Sequence, residues 1–476
     1  MDRRPEDQQR SDRSLRDRII AAADPDEVAS DPELSVVADL AVADANPPRA
    51  RNAGIRPSAA RRAARARRTW LSMLFIPVFA IYLLLDAMRE LRAHLTRANE
   101  TERERRPSFH RPEAMPGPDE RSMEDIVSAL ESFPFHPSRL PASAVFFRDN
   151  GADATGALFS ANPQMASFPH FYPSTFQEVL FEGCEGERIA GMRATHEHSG
   201  PAVVICHGLL MNKHFDVIIS LAKRAYEEWG FHVVTLDLRG WGDSAWTTDA
   251  PASAGYYEGR DLLEVCRTLH EDPLVTSVGA IGYSLGGATV LNAAHASSLS
   301  DDKPLDGGGI AISAPTDIDP VLTHISTKPH WRDPYFGLWN LFRAAIKSNV
   351  RRRGLLGDPQ TWRDLVETTS PAYYGVSMEE YCRRASAVNF AHEITQPVLE
   401  LHSTDDFLVP VWNAYQLQDA VADNPWVHVM VRDGGAHCAF AAADSAWFHS
   451  TVRRWLEYWA TPGAFKVDPA EDEILG

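Results

Sequence analysis

Three residue types that together can break an acyl bond occur in one order along the chain. They are Ser284 in "GYSLGG", Asp405 and Asp406 in "STDDFLVP", and His437 in "GGAHCAF". A serine hydroxyl is a weak nucleophile until a base takes its proton. An imidazole serves as that base when a carboxylate holds its tautomer and orientation. Asp406, which stands before Pro410, is the favoured acid, with Asp405 and Asp317 of "SAPTDID" as alternatives. His449 competes with His437, but it lies in "SAWFHSTVRRWLEYW", an amphipathic helix pattern in which it reads as a packing residue. Gly282 and Gly286 flank the serine at two residues on either side, where converging chain segments leave no room for a Cβ. "CHGLL" adds backbone N–H donors: those of Leu209 and Leu285 are the candidate oxyanion hole, with His207 holding the loop.

A Gly-x-Ser-x-Gly pattern carries weight only where a strand precedes it and a helix follows. "SVGAIGY" is such a strand pattern and "GGATVLNAAHA" such a helix pattern. The same alternation runs through the surrounding chain. "AVVIC", "FHVVTLD", "GIAIS", "VLELH" and "WVHVMV" are short apolar runs, with helical patterns such as "DVIISLAKRAYEEW" and "RDLLEVCRTLH" between them. Short apolar strands alternating with helices predict a doubly wound α/β domain with a mostly parallel sheet buried on both faces. "EVLFEGCEGERIAGMRAT" predicts an antiparallel hairpin at the sheet edge. Asp406 and His437 then both follow strands, at the ends where open α/β sheets collect their catalytic groups.

The 476 residues carry a net charge of −18, which argues against a nucleic-acid partner. Five cysteines without a Cys-x-x-Cys spacing form neither a disulfide framework nor a zinc site. No Gly-x-Gly-x-x-G follows the strand before "DLRGWGDS", so no dinucleotide site is expected there.

Composition divides the rest of the chain. Residues 1–68 read as a disordered tail that closes on eight arginines between Arg49 and Arg68. "TWLSMLFIPVFAIYLLL", residues 69–85, reads as a single transmembrane helix at the short end of the spanning range, flanked by arginines able to snorkel. That predicts a single-pass membrane protein; the arginine bias leans towards a translocated catalytic domain. Residues 86–125 read as a charged linker, 126–175 as a lead-in segment, 176–462 as the α/β domain and 463–476 as a C-terminal tail. Within the domain, about 316–394 is too long for a simple crossover and reads as a helical cap. Its aromatics, among them Trp331, Tyr335, Trp339 and Trp362, suit either an apolar acyl pocket or the cap's own core.

Taken together, "CHGLL", "DLRGWGDS", "GYSLGG", "STDDFLVP" and "GGAHCAF" resemble the α/β-hydrolase superfamily of serine esterases and lipases over roughly residues 175–460. The anchor ahead of the domain is similar to membrane-anchored YheT-like hydrolases, although "DLRGWGDS" is closer to the general esterase pattern. The resemblance implies a Ser284–His437–Asp406 triad and hydrolysis of an apolar acyl ester through an acyl-serine intermediate, without cofactor or metal. Peptidase, thioesterase or acyltransferase chemistry would use the same residues, and a non-catalytic binding module on this fold is the remaining reading.

Overall fold

The computed structural model describes residues 121–137, 172–248, 250–327 and 361–460, with isolated positions at 88, 142, 145 and 146. The tail at 1–68, the span at 69–85, the C-terminal tail, and Trp331, Tyr335 and Trp339 lie outside the described residues. Among the described residues, no helix is long and apolar enough to cross a membrane.

Helix α1 (Met123–Glu131) straddles the expected boundary at 125/126. It is capped by Ser122, whose hydroxyl accepts the Asp125 N–H. The predicted edge hairpin follows as β1 (Gln177–Glu182) and β2 (Arg188–Ala194), paired antiparallel. Then come β3 (Gly200–Cys206), α2 (Asp216–Glu227), β4 (His232–Leu236), α3 (Tyr256–His270), β5 (Val275–Tyr283), α4 (Leu285–Ser298) and β6 (Gly309–Ile312). Helices α5 (Ile318–Ser326), α6 (Trp362–Tyr373) and α7 (Met378–Ala385) stand between β6 and β7 (Val398–Ser403). The chain closes with α8 (Trp412–Ala420), β8 (Val427–Arg432) and α9 (Ser445–Trp459). All eight strands join one sheet in the order β1-β2-β4-β3-β5-β6-β7-β8. Every pairing from β4 to β8 along that order is parallel.

The strands are apolar throughout because both faces are covered, and the two-residue side-chain period sorts each strand between two cores. Ala202, Val204 and Cys206 of β3 join one core with Leu262 of α3, Val290 of α4 and Leu417 of α8. Val203 and Ile205 join the other with Ile218 of α2, Trp455 of α9, and Ile126 and Leu130 of α1. Helix α1 is thus part of the domain, and the Tyr458 hydroxyl exchanges hydrogen bonds with the backbone of Ser122. The chain crosses from β3 to β4 on one side and from β5 to β6 on the other. The parallel pairing puts the C-terminal ends of β3, β5, β7 and β8 at one edge of the sheet, and the reversal falls between β3 and β5.

Candidate active site

Ser284 sits between the last residue of β5 and the first of α4, with φ 54° and ψ −112°. A non-glycine residue there is strained, and the surroundings must impose it. The Ser284 N–H donates to the Ile312 carbonyl at 2.8 Å, and the Ser284 carbonyl accepts from Ala288 at 3.1 Å. The glycines permit the turn. A Cβ on Gly282 would run into the carbonyl of Gly286, and one on Gly286 would stand 2.5 Å from the Cys206 carbonyl oxygen. The serine itself is half-buried at the turn.

The loop after β3 abuts this turn: a Cβ on Gly208 would lie 3.2 Å from the Ser284 Cβ. His207 is fully buried and joins two loops. Its Nδ1 donates to the Gly208 carbonyl at 2.7 Å, and its Nε2 accepts the Leu238 N–H at 3.1 Å. Burial disfavours a charged ring and lowers its pKa, as suits a structural imidazole. Leu209 stands on this loop, and Leu285 opens α4, where first-turn N–H groups have no intrahelical partner.

Lys213, which the sequence reading passed over, fixes the same loop to the "DLRGWGDS" turn. Its buried ammonium lies 2.5 Å from Oδ2 of both Asp237 and Asp243, and its N–H donates to Asp237 Oδ1 at 2.7 Å. Burial alone would depress its pKa, but the two carboxylates outweigh that and raise it.

Asp406 and His437 meet across the ends of β7 and β8. His437 Nδ1 lies 2.9 Å from Asp406 Oδ2 and 3.0 Å from Oδ1, with both side chains buried. Asp406 Oδ1 also accepts the N–H groups of Leu408 and Val409 at 3.0 and 2.9 Å. Burial opposes a charged imidazole, but the Asp406 carboxylate outweighs it and holds the His437 pKa well above the ordinary histidine value.

The loop carrying His437 is kinked at Ala436 (φ 47°) and Cys438 (φ 60°) and tied to two strands. Ser403 accepts the Gly435 N–H at 2.8 Å, Asp405 accepts the Ala436 N–H at 2.8 Å, and Ser313 accepts the Cys438 N–H at 3.1 Å. The neighbouring carboxylates have therefore divided the work: Asp406 meets the imidazole of His437 and Asp405 holds the backbone of Ala436 beside it. Asp317 precedes α5 and meets the Ser386 hydroxyl at 3.5 Å. His449 packs against Trp229 and donates to its own helix through the Ser445 carbonyl.

Two rings that no sequence motif marks stand beside the imidazole. Phe146, from the lead-in segment, has its centroid 6.3 Å from that of His437, and Phe407 lies 6.5 Å away. Ala142 and Val145 pack with Ala436 and Ala439 of the histidine loop. Ala142, Val145 and Phe146, far upstream in sequence, thus lie against the loop, and no local pattern marks such a contact. Glu400 and His402 on β7 belong to no motif either. Their signal was legible, because a charged and a titratable residue two apart in an apolar strand share one buried face. Among the described residues, no group of histidine, cysteine, aspartate or glutamate side chains is arranged to hold a metal.

A family model for the alpha/beta hydrolase fold matches residues 201–362, from β3 to the start of α6. An abhydrolase domain-containing protein of Dictyostelium discoideum is 25% identical over 253 residues, which is 50% of this chain and 62% of that protein. The medium-chain fatty acid ethyl ester synthase/esterase 2 of Saccharomyces cerevisiae is 26% identical over 277 residues, covering 52% and 59%. The chain therefore spans about six-tenths of the length of these two relatives. Among solved structures, the Pyrococcus furiosus esterase Pf2001 is similar, with a TM-score of 0.44, 17% identity, and coverage of 60% of this chain and 92% of that one.

Proposed function

Because the chain belongs to the α/β-hydrolase superfamily, we propose that it is a serine hydrolase of carboxylic esters with Ser284, His437 and Asp406 as its triad. The observation that carries the reading is the buried His437–Asp406 contact on the same sheet edge as the strained turn of Ser284. In this mechanism His437 takes the hydroxyl proton as Ser284 Oγ attacks the ester carbonyl. The backbone N–H groups of Leu209 and Leu285 stabilise the resulting oxyanion. As the C–O bond to the alcohol breaks, His437 returns the proton to the leaving oxygen. Water then enters by the same route in reverse and releases the acid.

The substrate in this reading is a small apolar acyl ester, in keeping with the name of the yeast relative. Helices α5 to α7 form part of a cap over the site, and residues 69–85 tether the enzyme to a membrane. The same relative is named as a synthase as well as an esterase, which favours a second test with an alcohol in place of water as acyl acceptor.

The decisive experiment pairs hydrolysis of short and medium-chain p-nitrophenyl esters with labelling by a fluorophosphonate probe, in the native protein and in Ser284→Ala. Hydrolysis and labelling should both vanish in the variant. A folded variant that keeps full activity overturns the assignment of the nucleophile.

A further inference from the structure

Two buried ionisable side chains on β7 take no part in the chemistry just described. Glu400 and His402 face the same core, and neither reaches solvent. His402 Nδ1 lies 2.8 Å from Glu400 Oε1, and its Nε2 lies 2.8 Å from the Val409 carbonyl oxygen. A carbonyl only accepts, so Nε2 carries a proton. Nδ1 faces the Glu400 carboxyl group, so the ring is placed to carry a proton on each nitrogen, as an imidazolium.

The same Nε2 stands 3.8 Å from Asp406 Oδ2. Asp406 Oδ1 takes two backbone N–H groups, so its two oxygens are supported differently: one by amides, the other by a cation. A buried carboxylate without such support takes up a proton. A protonated Asp406 could no longer stabilise the imidazolium that forms at His437 during the reaction.

We infer that His402 is a positioning residue: held as an imidazolium between Glu400 and the Val409 carbonyl, it sets a positive charge beside the Asp406 oxygen that meets His437. The inference rests on the triad reading above. Glu400 stands as the counter-group to the ring, which lets the strand bury it. Burial alone would depress the His402 pKa, but Glu400 and Asp406 outweigh it and hold it at about 9. Flanking elements bring other charged groups, whose contacts run elsewhere. Asp317 meets Ser386, Asp319 pairs with Arg363, His324 meets the Phe407 carbonyl, and Arg432 of β8 lies over Trp447.

Two measurements on the full chain test this. In the native protein, the ¹⁵N resonances of the His402 ring should show both nitrogens protonated at pH 7.5, a pH chosen as about one unit above the ordinary histidine value. A neutral ring at that pH overturns the inference, whatever the enzyme's activity. In Glu400→Gln/His402→Gln, which leaves no lone buried charge, kcat should fall with KM little changed. Loss of the nearer cation raises the proton affinity of the Asp406–His437 pair as a whole, so the acid limb of kcat/KM should move up by about one pH unit.

A structural role alone would lower activity or stability without moving that limb, and a folded double variant with an unmoved limb overturns the inference. Should the variant fail to fold, the ring-nitrogen measurement decides. A native protein that hydrolyses no ester instead counts against the proposed function and leaves the protonation of His402 to be judged by its own spectrum.

Discussion

His437 Nδ1 contacts both carboxylate oxygens of Asp406, at 2.9 and 3.0 Å, while the adjacent Asp405 accepts the N–H of Ala436 one residue before that histidine. Two neighbouring acids of identical chemistry hold one loop at two different points, the His437 imidazole and the Ala436 N–H. Substitution by asparagine separates them. Asp406→Asn should cost on the order of 10³–10⁴-fold in kcat, because an amide no longer enforces the working tautomer. Asp405→Asn retains an acceptor for the Ala436 N–H and should cost less than about tenfold. Steady-state kinetics on one ester suffice, and equal losses would refute the division of roles.

The pH profile should rise with pH across the neutral range. In the proposed mechanism His437 acts as base only when neutral, and Asp406 raises its pKa above the ordinary histidine value of 6.5. The acid limb of kcat/KM should therefore lie above that value, with activity increasing towards alkaline pH. A limb well below it would show that the Asp406 contact is not made in the free enzyme.

Stability should move the other way. The folded-state pKa of His402, about 9, lies above the ordinary histidine value of 6.5, so the folded protein binds the extra proton. The resulting stabilisation is fully present below 6.5 and is lost as pH rises through about 9. Its size is on the order of 3 kcal/mol, at about 1.4 kcal/mol per unit. Urea midpoints measured from pH 6 to about 9.5 should fall in the native protein and fall less steeply in Glu400→Gln/His402→Gln, where His437 still keeps a raised pKa. Parallel slopes in the two proteins would contradict the assignment.

The loop after β4 depends on a second buried ion pair. Arg239 Nε and Nη2 donate to Asp261 of α3 at 2.7 and 2.6 Å, with both side chains almost wholly buried. Asp261→Ala leaves a buried guanidinium without its carboxylate and should cost about 3–5 kcal/mol. Arg239→Met/Asp261→Leu should recover much of that loss, because no lone charge remains. Chemical denaturation of both variants checks the sign and the rank.

Gly282→Ala should abolish folding or activity, because its Cβ would occupy the place of the Gly286 carbonyl. Here the obstruction is backbone, which no rotamer change relieves. Native-like near-UV circular dichroism together with full fluorophosphonate labelling in this variant would show that the turn is not as described.

The amino-acid sequence by itself determined the order of strands and helices, since apolar runs and helical periods are local patterns that survive without a partner. It also marked Ser284, His437 and the pair Asp405–Asp406, because a strand-to-helix turn between glycines and loops after strands are short-range signals. The sequence favoured Asp406 over Asp405, but the contact itself is a matter of tertiary structure. Which carboxylate meets His437 depends on how the end of β7 faces the end of β8, and those two ends approach only once the sheet has formed. The same holds for Phe146, brought to the histidine from well before the domain's strands, and for Lys213 between two loops. Glu400 and His402 show both sides at once. Their spacing declared a shared buried face, but only the folded loop at Val409 and Asp406 placed an acceptor and a carboxylate around the ring.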